Sequence, residues 1–317
     1  MKKTAYLVVP CYNEEEVLKD SASVLKEKMQ SLIERELISE KSKICFVDDG
    51  SKDSTWSIIE GLTNSDKIFA SVKLSRNRGH QNALLGGLMT VKNDCDATIS
   101  LDADLQDDIN AIDEMIIKFN NGADIVYGVR NDRTKDSFMK KATAQGFYKL
   151  MNFMGASTIY NHADFRLMSK RALDAFADFK EVNLYLRGMV TMVGFNQDVV
   201  YYERQKRMAG ESKYNLSKML SLAFDGITSF SVKPLRLIFA CGICFSAVGF
   251  IMFLTGLSAK VFSFTVSQNH MLCALIWLMS GINLAAMGTV GEYIGKIYSE
   301  VKARPRYIIE KYINNKD

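Results

Sequence analysis

The sequence predicts an α/β domain with a mainly parallel sheet flanked by helices, followed by an interfacial amphipathic helix and a two-helix transmembrane hairpin. Three observations predict it. Through the first half of the 317 residues, short apolar runs alternate with stretches of helical spacing. In the last third stand two uncharged runs of 21 residues, Leu237–Leu257 and Met271–Gly291. Lys and Arg gather on the outer flanks of those runs, and Lys260 alone occupies the 13 residues between them.

The strand candidates are Ala5–Val9, Ile44–Val47, Ile68–Leu74, Ala97–Leu101 and Ile125–Val129. Each leads through a polar loop into a helical pattern, as at Glu15–Leu37, Ser54–Leu62, Gln81–Val91 and Ile109–Phe119. Continuous apolar strands divided by helices imply a sheet covered on both faces, with ligands beyond the carboxyl ends of its strands. Lys2 and Lys3 before Ala5–Pro10 imitate a signal peptide, but the run is short and Asn13, Glu14, Glu15 and Glu16 occupy the place of a cleavage site. A buried first strand is the better reading.

Between Tyr214 and Ser231, Leu216, Met219, Leu220, Ala223, Phe224, Ile227 and Phe230 recur at helical spacing beside Lys213, Lys218 and Lys233, as suits a helix in the membrane interface. Each 21-residue run is about 31 Å long as a helix, enough for a bilayer core of roughly 30 Å. Lys233 and Arg236 precede the first run; Lys296, Lys302, Arg304, Arg306 and Lys311 follow the second. The positive-inside bias therefore puts both termini and the large domain on the cytoplasmic side of the plasma membrane. The expected divisions are a catalytic domain at 1–212, an interfacial helix at 213–234, the hairpin at 235–295 and a C-terminal tail at 296–317.

Forty Lys and Arg against 36 Asp and Glu leave a net charge of +4, too slight to indicate nucleic acid. Apolar residues at 48% exclude wholesale disorder. The six Cys form no disulfide framework, and Cys241 and Cys244 lie inside an apolar run.

Three polar loops leave the strand ends: Pro10-Cys11-Tyr12-Asn13-Glu14-Glu15, Asp48-Asp49-Gly50-Ser51-Lys52-Asp53-Ser54-Thr55 and Asp102-Ala103-Asp104-Leu105-Gln106-Asp107. Singly, each reads equally well as a helix cap. At one sheet edge they read as a site. Asp102 and Asp104, two apart beyond a strand, can share a face, and paired hard oxygens suit Mg²⁺ or Mn²⁺ bridging to a diphosphate. Neither G-x-x-x-x-G-K-[ST] nor G-x-G-x-x-G occurs. A metal-held diphosphate without either motif points to a nucleotide-sugar site.

The sequence resembles the family 2 glycosyltransferases of GT-A fold, and among them the membrane-anchored polyprenyl-phosphate sugar transferases. VPCYNEEE, FVDDGSKDST, SRNRGHQNALLGGL, LDADLQD, ADFRLMSKRAL, RMAGESKY and GEYIGKIYSEVKARPRY carry the resemblance in order. Asp108 departs from it, standing where the family has Pro. The resemblance implies that Pro10, Tyr12 and Glu14 line the nucleotide pocket with Val47 and Asp49, and that Asp49 accepts a hydrogen bond from the base. It implies that Asp102, Asp104 and Gln106 serve the metal, with Ala103 beside the nucleotide. Arg130, Arg207 and Lys213 would neutralise donor or acceptor phosphates, and His80 lies near the donor.

Asp164, in ADFRL, resembles a catalytic base. A phosphate monoester is already largely dianionic at pH 7, however, so little is left for a base to remove. Orienting the acceptor site or stabilising positive charge on the sugar suits Asp164 better, against a structural pairing with Arg166 or Arg171.

The implied reaction is inverting transfer of one hexose from a UDP-sugar, glucose first and N-acetylglucosamine next, to undecaprenyl phosphate, for modification of a cell-envelope glycan. A polysaccharide synthase is disfavoured because Q-x-x-R-W is absent and two spans are too few for a pore. A non-catalytic scaffold binding nucleotide or lipid is the rival from another class. A flippase would be a separate membrane partner, and Gly281, Ala285, Gly288 and Gly291 offer a small-residue stripe for homo-oligomers.

Overall fold

The computed structural model describes residues 2–130, 162–182, 186–203 and 268–315. The chain divides into two units, one holding the sheet and one comprising 149–156 and 215–302.

The sheet unit begins with four strand–helix steps and a fifth strand: β1 (Ala5–Cys11), α1 (Leu18–Glu34), β2 (Lys43–Asp48), α2 (Thr55–Ser65), β3 (Phe69–Leu74), α3 (His80–Val91), β4 (Ala97–Ser100), α4 (Ala111–Asn120) and β5 (Ile125–Arg130). Then come β6 (His162–Ser169), α5 (Lys170–Ala177), α6 (Leu186–Met192), β7 (Gln197–Tyr202) and, from the C-terminal segment, β8 (Ile309–Asn314). The strands form one sheet of order β7-β5-β6-β4-β1-β2-β3-β8. Pairing is parallel for β1/β2, β1/β4, β2/β3 and β5/β7, and antiparallel where β6 meets β4 and β5 and where β8 meets β3.

The two-residue period of a strand explains the layers. Leu7, Val9, Ile44, Phe46 and Ile99 join α1, α2 and α4 in one buried cluster with Leu25, Met29, Ile59, Ile112 and Met115. The alternate residues Val8 and Val47 face α3, so closely that a Cβ on Gly87 would lie 2.5 Å from Val47 and 2.7 Å from Val8. Gly87 thus lets the helix carrying His80 lie directly on β1 and β2.

All five predicted strands form. The sequence reading lacked β6, β7 and β8. β6 carries Asp164 and Arg166 in its interior, which hides its apolar alternation. β8 pairs with a strand more than 230 residues earlier and is held by Tyr312 Oη donating to Asp94 (2.6 Å), Lys311 to Glu60 (2.5 Å) and Lys73 to Glu310 (2.8 Å). The segment 296–317 is therefore shared between a helix end and a sheet strand.

In the second unit, α7 runs from Gln268 to Lys302. Among the described residues no helix is long and apolar enough to cross a membrane. The first uncharged run lies outside those residues, and the second falls in α7, where many side chains are outside the description as well. The interfacial segment 213–234 also lies outside it. Towards the C-terminal end of α7, Met287, Ile294, Ile297, Tyr298 and Val301 are exposed.

Candidate active site

Sheet register brings the acidic loops together. Ser100 of β4 lies opposite Arg166 of the antiparallel β6, so the chain two residues on at Asp102 meets the chain two residues back at Asp164. Pro10 is in register with Val47, and both are buried. Beyond them the first two loops are laced: Ser51 accepts from the Asn13 N–H (3.0 Å), Asn13 Oδ1 from the Lys52 N–H (2.9 Å), Thr55 Oγ1 from the Glu14 N–H (2.9 Å) and Glu15 from the Ser54 N–H (2.9 Å). Asn13 adopts φ 53°, a left-handed conformation its short amide tolerates. Tyr12, 39% exposed, stands out from this clasp.

Asp49 is buried and accepts from the backbone N–H groups of Arg78 (2.7 Å) and Gly79 (2.8 Å). Burial pushes its carboxyl upward and these donors pull it back. Asp49 thereby fixes the loop that presents His80. At Gly50, φ is +65° and a Cβ would lie 2.5 Å from the Asn77 nitrogen, so glycine alone lets the two loops touch.

The D-x-D loop is pinned from below by Ser21 of α1, which donates to the Ala103 carbonyl (2.7 Å), leaving Ala103 buried. Leu105 takes φ 45°, an outlier for a branched side chain that turns the chain sharply after Asp104. Gln106 Nε2 donates to Asp104 Oδ2 at 2.7 Å, coupling two of the residues expected at a metal. Among the described residues no three His, Cys, Asp or Glu close around one point. Two carboxylates and an amide oxygen nevertheless fit a hard cation that keeps most of its sphere for water and phosphate oxygens, as Mg²⁺ does. The electrostatics agree: burial pushes the Asp102 carboxyl up, His80 pulls it down, and Asp164, Asp107 and Asp104 push it up again. The Asp102 side chain keeps 43% exposure, so the crowding of like charge is the part that a cation would relieve.

His80 Nε2 lies 3.5 Å from Asp102 and 3.9 Å from Asp164. Asp164 is only 13% exposed and sits between two guanidiniums, Arg187 at 3.0 Å and Arg166 at 3.6 Å. Burial alone would raise its carboxyl, but Arg187 and then Arg166 outweigh that and hold it well below the usual carboxylate range. So acidic a group is a poor proton acceptor and a steady negative charge. Arg171, the alternative partner that the sequence offers Asp164, pairs with Asp124 instead.

Arg130 is engaged at the same edge. Its Nη2 meets Asp107 at 2.9 Å, and Tyr202 Oη donates to the same carboxylate oxygen at 2.6 Å. Arg207 and Lys213 lie outside the described residues. Sequence reasoning missed Arg187, although it is the sole charged residue between Glu181 and Asp198, a spacing that marks it in retrospect.

The fold and this edge make an α/β domain that gathers hard oxygens, an imidazole and a guanidinium-clamped carboxylate beyond its parallel strands. A family model described as glycosyl transferase family 2 matches residues 6–176, and the chain belongs to that family of enzymes. It is 49% identical to an uncharacterized glycosyltransferase, YkoT, of Bacillus subtilis (strain 168), covering 96% of this chain and 90% of the relative. It is 40% identical to the SfII prophage-derived bactoprenol glucosyl transferase of Shigella flexneri, over 96% of this chain and 97% of that protein. Mannosyl-3-phosphoglycerate synthase from Rubrobacter xylanophilus is similar in structure, at a TM-score of 0.48, 16% identity and 74% coverage of each chain.

Proposed function

We propose that this glycosyltransferase moves a single hexose from a UDP-sugar, glucose by first preference, to undecaprenyl phosphate at the cytoplasmic face of the plasma membrane. The observation that carries the proposal is the meeting of Asp102, Asp104, His80 and Asp164 at one sheet edge, in a chain 40% identical over nearly its whole length to a bactoprenol glucosyl transferase. Mg²⁺ or Mn²⁺ held by Asp102, Asp104 and Gln106 would supply Lewis-acid stabilisation of the departing diphosphate. The clasp of the Asn13 and Ser51 loops shapes the nucleotide end, with Tyr12 offering an aromatic face. Asp164 stays ionised and orients the acceptor side or balances positive charge growing on the sugar. Since the acceptor phosphate is largely dianionic at pH 7, catalysis is mainly positioning and charge stabilisation. An α-linked donor attacked in line gives a β-linked product.

The membrane reading gains support from topology. β7 ends at Tyr202 and β8 starts at Ile309, and both belong to one sheet. Any chain crossing a bilayer between them must cross an even number of times. Two spans at 237–257 and 271–291 satisfy that parity and keep the sheet on the side of the acceptor headgroup.

The test is sugar transfer by the full-length protein with Mg²⁺ or Mn²⁺, undecaprenyl phosphate and a panel of radiolabelled UDP-sugars, followed by organic extraction. Label from one donor entering the lipid phase, and absent with Asp104→Ala, is the expected result. Intact UDP-sugar binding with no lipid label from any donor would count against it.

A further inference from the structure

Asp164 needs a direction as well as a charge, and the two arginines beside it differ in what they supply. Arg166 is fully buried, and none of its three side-chain nitrogens makes a hydrogen bond among the described residues; its approach to Asp164, 3.6 Å, is electrostatic only. Such a group sets a potential but no orientation. Arg187 grips instead: its Nε lies 3.3 Å from both Asp164 oxygens and its Nη2 donates to Oδ2 at 3.0 Å. A planar guanidinium fork against a carboxylate fixes the plane and rotation of the acid.

Arg187 is itself held through the backbone. The N–H of Leu186, at the start of α6, donates to Gln81 Oε1 at 2.9 Å, across 105 residues of sequence. Gln81 follows His80, which stands between Asp102 and Asp164. The contacts close a ring: Gln81 to Leu186, Leu186 to Arg187, Arg187 to Asp164, Asp164 to His80, and His80 back to Gln81.

We propose that Arg187 is the positioning residue for Asp164 and that Gln81, by fixing the start of α6, positions Arg187, so that the donor-side loop and the Asp164 carboxylate are set as one unit. The proposal deepens the transferase reading and rests on it. Arg187 is 41% exposed, and an ion pair so exposed adds little to stability. Its value lies in geometry, where a misplacement near 1 Å can cost ~10²-fold in rate.

The test is steady-state kinetics on full-length protein. Arg187→Lys keeps the charge and loses the fork, and should lower kcat about 10- to 100-fold while both KM values stay within about threefold. Arg187→Ala should cost far less in an Asp164→Asn background than in the wild type. Gln81→Leu should lower kcat, and Gln81→Glu, which keeps an acceptor for the Leu186 N–H, should recover most of the loss. Melting curves confirm that each variant is folded. Full kcat in Arg187→Lys, equal losses from Arg187→Ala in both backgrounds, or a raised acceptor KM at unchanged kcat would each overturn the proposal, the last by making Arg187 a direct ligand of the acceptor. If the wild type labels no lipid, the acceptor reading has failed. The coupling is then read from UDP release by donor hydrolysis, where the same non-additivity is expected and additivity would overturn the positioning role.

Discussion

Asp164 shows how two neighbours decide what a carboxylate does. With Arg187 and Arg166 beside it, its folded pKa lies below its unfolded value near 3.9. Its stabilising contribution is therefore complete above about pH 4 and is lost only as pH falls through the depressed value. Asp164→Asn should lower thermal stability by an amount that is constant from pH 5 to 8 and shrinks below about 4. Removing the carboxylate leaves Arg166 buried without a counter-charge, so the plateau should be on the order of 3 kcal/mol. Activity of the same variant should fall equally across pH 6 to 9; a loss confined to the acid side of pH 6 would restore a base role. Asp104→Ala should cost at least ~10²-fold in kcat, and a chelator should add nothing further in that variant. The D-x-D loop stands out in the sequence only because two further polar loops leave strand ends at the same sheet edge; alone it reads equally well as a helix cap. Arg187 does not stand out, since its partner lies 23 residues upstream on an antiparallel strand whose existence the sequence reading lacked.

At the scale of elements, loops that meet at the sheet edge depend on close backbone approaches. Gly50→Ala forces a side chain into the backbone of Arg76 and Asn77 at positive φ, and should destabilise by more than about 1 kcal/mol while loosening the His80 loop. Calorimetry with UDP titration reads both effects as a lower Tm and weaker nucleotide binding. Deleting 309–317 uncovers the β3 edge and removes the Lys311, Tyr312 and Glu310 contacts, so Tm should drop by several degrees. An unchanged Tm would mean that β8 is an ornament of the sheet. Buried strands announce themselves as unbroken apolar runs, which is why β1 to β5 are legible in the sequence. β8 has no such mark: Ile309-Glu310-Lys311-Tyr312-Ile313-Asn314 follows a basic stretch and finds its partner only through tertiary structure. β6 is hidden in the sequence because Asp164 and Arg166 interrupt its apolar alternation.

For the molecule as a whole, the proposed hairpin has to bring the C-terminal segment back to the side of the sheet, because β7 and β8 belong to one sheet. Cysteine labelling in intact cells should therefore modify positions within 258–270 from outside, and positions after 309 only after permeabilisation. Labelling of both from outside would refute the hairpin. Joining a lipid-phosphate acceptor to a sheet-edge nucleotide site, as proposed, makes a definite chemical product. The most direct measurement is NMR of the lipid made by the full-length protein from an α-linked UDP-sugar and undecaprenyl phosphate. One hexose per lipid is expected, joined through oxygen to phosphorus as a phosphodiester in the β configuration. Free sugar, a polymer, or an α-linked product would contradict it.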